Sequence, residues 1–97
     1  MYKLLVTLQV LDFQALDEFE QRASKVMADY QGKIICVLET KRNEDGSGEE
    51  FHIVEFPEKD DFDSYRNDPR LQELNCLREK AISGTEIKTV TKEKSYS

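Results

Sequence analysis

Tryptophan is absent from this chain of 97 residues, histidine occurs once, and cysteine twice. Cys36 and Cys76 stand far apart, with no C-x-x-C and no histidine at ligand spacing, so neither a disulfide framework nor a zinc ribbon is on offer. Two such thiols read as buried, reduced side chains of a cytoplasmic protein. No apolar run approaches the ~20 residues of a membrane-spanning helix. The segment Met1–Val6 continues into Thr7 and Gln9 and lacks a small-residue cleavage site, so it reads as a strand and not as a signal peptide. An excess of basic charge is missing too. With 20 acidic against 14 basic residues the formal net charge is −6, which makes phosphate backbones and anionic membranes unfavourable partners.

What is present fits one domain spanning residues 1–97. Residues 2–11 alternate, with Leu4, Val6, Leu8 and Val10 on one face and Leu5, Thr7, Gln9 and Leu11 on the other, the pattern of a strand. Asp12 is placed to cap a helix whose apolar stripe is Phe13, Leu16, Phe19, Ala23, Val26 and Tyr30, with Gly32 as its stop. Residues 33–41 form a second strand, apolar on both faces. The polar run Asn43–Glu49 follows, where Asp45-Gly46 supplies the positive φ angles of a hairpin turn. A third strand runs from about Glu50 to Phe56 and ends at Pro57, which has no N–H for the ladder. Phe62 and Tyr65 mark a short helical turn. Asp68 then caps a new helix with Pro69 at its first position, its stripe being Leu71, Leu74, Leu77 and Ala81 and its end Gly84. Residues 85–94 read as a final edge strand, and about 92–97 as a loose tail.

This order predicts an α+β fold, β-α-β-β-α-β, with a four-stranded antiparallel sheet. Two helical segments cannot cover both faces of four strands, so they pack on one. Leu5, Leu11 and either Ile35/Val37 or Ile34/Cys36 are left on the bare face, an apolar patch that points to a partner surface. The expectation is a homodimer with two sheets meeting face to face.

From His52 to Ile82 a further pattern emerges. Glu55-Phe56-Pro57, Phe62, Tyr65, Asp68-Pro69 and Arg78 stand in the order and at the distances seen in the dimeric α/β barrels, and Tyr30-Gln31-Gly32 is similar to a Tyr-x-Gly of the same proteins. The chain resembles the DUF1330-like group within that ferredoxin-like superfamily. The resemblance implies the dimeric barrel fold. It also implies a superfamily that includes cofactor-independent monooxygenases, haem-degrading enzymes, isomerases and dehydratases, so fold membership leaves the reaction open. Haem-degrading members use a helix histidine and a tryptophan, and antibiotic-biosynthesis monooxygenases favour Trp and Asn beside the substrate. The missing Trp marks both down.

Six side chains are candidates for chemistry. His52 is the only imidazole and hence a tempting general base; a simple hairpin register sets Glu39 across from it, and a cross-strand contact at the sheet margin is the plainer role. Glu55, alternating with Phe56, is expected inside the barrel with Gln9, as a proton-shuttling acid or base or as one partner of an ion pair that sets dimer register. Tyr65 offers a hydroxyl and Arg78 a fork for a carboxylate ligand, although either also serves as amphipathic cover of the core rim. Asp60, Asp61 and Asp63 lie at a helix start, where acids are expected anyway, and make a weak metal cluster. An RNA-recognition motif has the same topology, but Glu49-Glu50 stands where a basic residue and glycine belong and Leu5 and Ile53 replace stacking aromatics. The reading is therefore a small-molecule binding protein or a monooxygenase- or isomerase-like enzyme without cofactor or metal. Its site is expected between the helix-free face and the helices, lined by Gln9, Glu39, His52, Glu55 and Tyr65. The alternative is a non-catalytic dimerisation or binding module with a filled interior.

Overall fold

Asp12 starts the first helix as its position suggests. In a computed structural model, which describes residues 1–96, strand β1 (Tyr2–Val10) ends just before it. The Asp12 carboxylate accepts from the backbone N–H of Gln14 at 2.9 Å and Ala15 at 3.4 Å, two donors that a helix start leaves without partners. Helix α1 (Phe13–Ala28) then buries Phe13, Leu16, Phe19, Ala23, Val26 and Met27 against the sheet. At its exit the N–H groups of Tyr30 and Gly32 both donate to the Met27 carbonyl. The left-handed residue there is Gln31, at φ 60°. Gly32 is needed for room instead: a Cβ at that position would overlap the Met27 side chain and the Phe56 ring.

Strands β2 (Lys33–Arg42) and β3 (Gly48–Phe56) form the hairpin. Of Asp45-Gly46 only Gly46 takes positive φ, 89°; the Asp45 carboxylate accepts instead from the Ser47 N–H at 3.0 Å. The Gly46 carbonyl accepts from the Phe13 N–H at 3.1 Å, so the hairpin tip is fastened to the start of α1. After Pro57 come α2 (Lys59–Arg66), α3 (Pro69–Gln72) and α4 (Asn75–Ala81), and then β4 (Ile82–Thr89). The sheet order is β2-β3-β1-β4, antiparallel throughout, which is the ferredoxin-like βαββαβ topology.

The second half departs from the expected elements in three places. The helical turn at Phe62 and Tyr65 is a two-turn helix. The run from Pro69 is broken between Gln72 and Asn75. It ends at Ala81 and not at Gly84, because Ile82 is already extended, buried and paired with Val10, while the Ala81 carbonyl accepts from the Leu11 N–H at 2.8 Å. Strand pairing thus claims residues that periodicity assigns to the helix. Beyond β4 the Val90 N–H donates to the Lys3 carbonyl at 2.9 Å. Residues 91–96 form no regular element, and Ser97, the end of the expected tail, lies outside the described residues.

Pairing in the ladder fixes the faces, because opposed residues share a side and neighbours alternate. Leu4 faces Val54, Val6 faces His52 and Leu8 faces Glu50, all beneath the helices. Leu5, Thr7 and Gln9 share the open face with Ile53, Phe51 and Glu49. Strand β2 carries two bulges, between Ile34 and Cys36 and between Glu39 and Lys41. They overturn both expected pairings of its apolar residues: Cys36 and Leu38 take the open face and Ile34 and Val37 the helical one. Leu11 lies past the strand end and is exposed. The cysteines are not buried as expected, since Cys36 is on the open face and half-buried while Cys76 is exposed on the surface of α4.

Two apolar clusters form the core. One gathers Leu8, Val10, Phe13, Leu16, Ala81 and Ile82; the other gathers Leu4, Met27, Val54, Phe56 and Phe62. Phe56 is fully buried, with ring centroids 5.5 Å from Phe62 and 5.6 Å from Tyr65. Phe56→Ala is expected to lower the free energy of unfolding by about 3–5 kcal/mol in urea titration; a loss within the ~0.5 kcal/mol of a surface change would show that the ring is not central.

A polar clasp joins the exit of α1 to the Asp-Pro start of α3. Buried Asp68 accepts from the Tyr30 hydroxyl at 2.6 Å, from the Arg70 N–H at 2.8 Å and from the Arg70 guanidinium at 2.9 and 3.1 Å, and Arg70 also reaches Asp29 at 2.7 Å. The Arg70 hydrogen bonds, followed by that of Tyr30, hold the Asp68 carboxyl well below its ordinary 3.8. A depressed folded value contributes stability that is complete above that ordinary value and is lost as pH falls through the folded one. Asp68→Asn is therefore expected to be less stable than the natural chain at pH 7, with the gap narrowing on acidification in thermal melts. A gap independent of pH would assign the loss to packing alone.

Candidate functional site

The two core clusters do not close completely against each other. Between them, under α1, α2 and α4, lies a cavity of about 300 Å³, at the small end of the ~300–1,000 Å³ typical of ligand pockets. Val6, Leu8 and Phe19 are among its apolar walls, and His52, Glu20, Tyr65 and Arg78 are polar groups that line it. A second hollow of about 290 Å³, between α1 and β2, shares Glu20, Ile34 and His52 with the first and adds Glu50.

His52 is 4% exposed, and its Nε2 lies 2.7 Å from Glu50 Oε1. Facing an ionised carboxylate, which only accepts, Nε2 carries the ring proton. Nδ1 is then left with the lone pair, the arrangement of an oriented general base. Both residues come from β3 and stand two apart, so strand alternation turns them to the same face. Glu20 enters from α1, seven residues after Phe13 and three before Ala23, and hence on the buried stripe itself. Burial pushes its carboxyl above the ordinary 4.5, nearby Glu50 adds to this, and His52 and Arg78 oppose it. Tyr65, whose ring packs on Phe56, has its phenol pushed up by burial and then by the Glu20 charge, so it stays protonated and able to donate. Arg78 Nη2 donates to the Thr85 Oγ1 of β4 at 2.8 Å. One imidazole, one acid raised by burial and one phenol thus line the same partly open cavity, the equipment for moving a proton to and from a bound molecule.

The expected site residues do not meet in one place. His52, Tyr65 and Arg78 line the cavity. Glu55 and Gln9 are on the opposite face of the sheet, where Glu55 lies 3.5 Å from Lys3 and Gln9 donates to Glu49 at 3.0 Å. A single site between the helix-free face and the helices is geometrically impossible, because the sheet separates them. Glu39 is not across from His52 either. The bulges of β2 set Val37 there and put Glu39 opposite Glu50, where it is exposed and held by Arg42 at 2.6 Å. Two residues escaped the sequence reading, Glu20 and Glu50. The first was legible as an acid inside an apolar helical stripe, the second as an acid in phase with His52 and Phe56. Among the described residues, no group of three His, Cys, Asp or Glu side chains is placed to hold a metal ion, and no helix is long and apolar enough to cross a membrane.

The sheet order and the one-sided helical layer define a ferredoxin-like α+β fold, the fold of the dimeric α/β barrels. The chain belongs to the DUF1330 family, a domain of unknown function whose profile matches residues 2–91. No functionally curated protein matches the sequence. Among solved structures, the chain is similar to the RPA0582 protein of unknown function from Rhodopseudomonas palustris, with a TM-score of 0.75, 14% identity and 97% of this chain and 84% of that one covered. It is also similar to Atu4242 of Agrobacterium tumefaciens, a nipsnap family protein with unknown function, with a TM-score of 0.68, 18% identity and coverage of 93% and 86%. SnoaB, a cofactor-independent oxygenase from Streptomyces nogalater, is similar at a TM-score of 0.68 and 12% identity, with coverage of 97% and 94%. At such identities the likeness establishes the fold alone.

The elevated Glu20 carboxyl makes a signed prediction. Below pH 4.5 Glu20 is protonated whether the chain is folded or not; above it the unfolded chain ionises first, and folded stability is lost as pH rises through the raised value. Glu20→Gln removes this loss. The variant is expected to melt a few degrees higher than the natural chain at pH 7 and at the same temperature near pH 4. A variant that is less stable at pH 7 would mean that the charged form is the favoured one.

Proposed function

We propose that this protein is a cytoplasmic homodimer in which each subunit holds a small organic molecule in the cavity between helices and sheet. There it transfers a proton on that molecule without a cofactor. The observation that carries this reading is buried His52, paired with Glu50 at its back and lining the same cavity as Glu20 and Tyr65. His52 is the base, Glu50 orients it, and Glu20 or Tyr65 returns a proton to the developing oxygen anion. Isomerisation next to a carbonyl needs no more than this. Oxygenation of an easily ionised substrate begins with the same proton abstraction, and SnoaB, described as a cofactor-independent oxygenase, has the same fold. The open face of the sheet supports the dimer, since Leu5, Phe51, Ile53, Cys36 and Leu38 gather there, with Lys3–Glu55 and Gln9–Glu49 as polar pairs able to set register. Glu55, Gln9 and Glu39 are accordingly given no part in ligand chemistry. The competing reading, a non-catalytic dimerisation module, has an unfilled interior lined with polar groups against it.

The dimer is tested by sedimentation at micromolar concentration, where the natural chain should run as a pair and Leu5→Asp as a single chain. A natural chain that runs alone removes the dimer. For the site, ligand-detected NMR with a library of compounds of about ten heavy atoms should give hits that Val6→Trp, which fills the cavity, abolishes while circular dichroism stays unchanged. Hits indifferent to that change, or none, would refute the cavity as a ligand site.

A further inference from the structure

We infer that the ligand of this cavity is an organic carboxylate, anchored by Arg78 with Arg66 at the rim; the inference rests on reading the cavity as a ligand site. Acidic residues outnumber basic ones by 20 to 14 in this chain, so an arginine without a carboxylate neighbour is unexpected. Among the described residues, Arg22 pairs with Glu18, Arg42 with Glu39, and Arg70 with Asp68 and Asp29, all within 3 Å. Among the described residues Arg66 and Arg78 have no carboxylate within ion-pair distance, and both line the cavity.

Arg78 is the better placed. It is half-buried on α4, and its guanidinium spends one of five N–H donors on the Thr85 hydroxyl, a neutral partner that orients the fork without neutralising it. Glu20 is near enough to feel the Arg78 charge but makes no ion pair with it, and burial favours its neutral form. Half-burying an unpaired guanidinium costs hydration, and a planar carboxylate meeting it edge to edge restores this with two charge-assisted hydrogen bonds. Arg66 lies over the Phe62 ring, 5.3 Å from its centroid, an arrangement that holds its charge beside the opening. Asn75, one turn before Arg78 on α4, adds a neutral amide to the same wall. At the ~30 Å³ that a water molecule occupies, the cavity of about 300 Å³ has room for roughly ten non-hydrogen atoms. The inferred ligand is thus a compact acid. Its carboxylate sits at α4, and the atom that loses a proton sits at His52.

The full-length protein is to be titrated, by calorimetry or NMR, with a panel of aromatic and aliphatic monocarboxylates of this size and with the primary amide of each; inorganic phosphate serves as a further probe. Carboxylates are expected to bind at least about tenfold tighter than their amides. Arg78→Gln should erase that difference by weakening the acids far more than the amides, Arg78→Lys should restore part of it, and Arg22→Gln, on the exposed side of α1, should behave as the natural chain. Amides that bind as tightly as the acids, a preference that survives Arg78→Gln, or phosphate that binds more tightly than any acid would overturn the carboxylate assignment and leave the cavity as a ligand site. If neither acids nor amides bind, the ligand-site reading falls and this inference falls with it.

Discussion

All of the helical surface in this protein has to serve one face of the sheet, and it does not quite reach across. Helix α1 lies over one part of that face and packs on α4; α2 covers the end marked by Phe56 and Phe62. Apolar burial near 25 cal/mol per Å² drives each helix down onto the strands, but no side chain from either side fills the seam where the two clusters meet. The space that remains is flanked by β1, β3 and β4 on one side and by α1, α2 and α4 on the other.

The same constraint explains the electrostatics. Polar groups that fall on the helical face must be buried, and burial is tolerable only with partners. Glu50 and His52 satisfy each other within one strand, Arg78 leans on Thr85, and Asp68 is held by four hydrogen bonds at the clasp. No buried side-chain nitrogen or oxygen among the described residues lacks a partner. The clasp is structural: one guanidinium bridges two carboxylates, and none of its side chains lines either cavity described above. Around the seam the charges are only partly matched, with Glu20 raised by burial and Arg78 left to a hydroxyl. Imperfect internal balance of this kind is what distinguishes a binding site from a well-satisfied core.

Much of the architecture was legible from local chemistry. The α1 stripe, the Asp12 cap, the stop of β3 at Pro57, the Asp68-Pro69 start and the β-α-β-β-α-β order all follow from spacing and from residues with one strong backbone preference. The misreadings share a different cause, since each depended on contacts made by distant parts of the chain. Where α4 ends is decided by β1, which claims Ile82 as a strand partner. The hairpin register is decided by two bulges and by a loop tied to the start of α1, and neither shows in the alternation of β2. Glu55 and Gln9 lie on the face that alternation gives them, beside Phe51 and Ile53; joining them with His52 and Tyr65 in one site failed because alternation tells which residues share a face and not what covers it. Glu20 was overlooked because a helical stripe was counted by its apolar members, when the one acid among them carried the information.

The two irregularities in β2 also bear on how this chain keeps apart from others. Strand β2 is an outer strand, and it exposes Ile35, Val37 and Leu38, each more than half accessible. An unpaired row of amides beside such greasy side chains is a template on which a foreign strand can add, the first step toward fibrils. Each extra residue in β2 bends the backbone and interrupts the even spacing that an incoming strand must match. The kinks that hid the register therefore double as protection against runaway stacking, and a version of this protein with a straightened margin would be prone to precipitate.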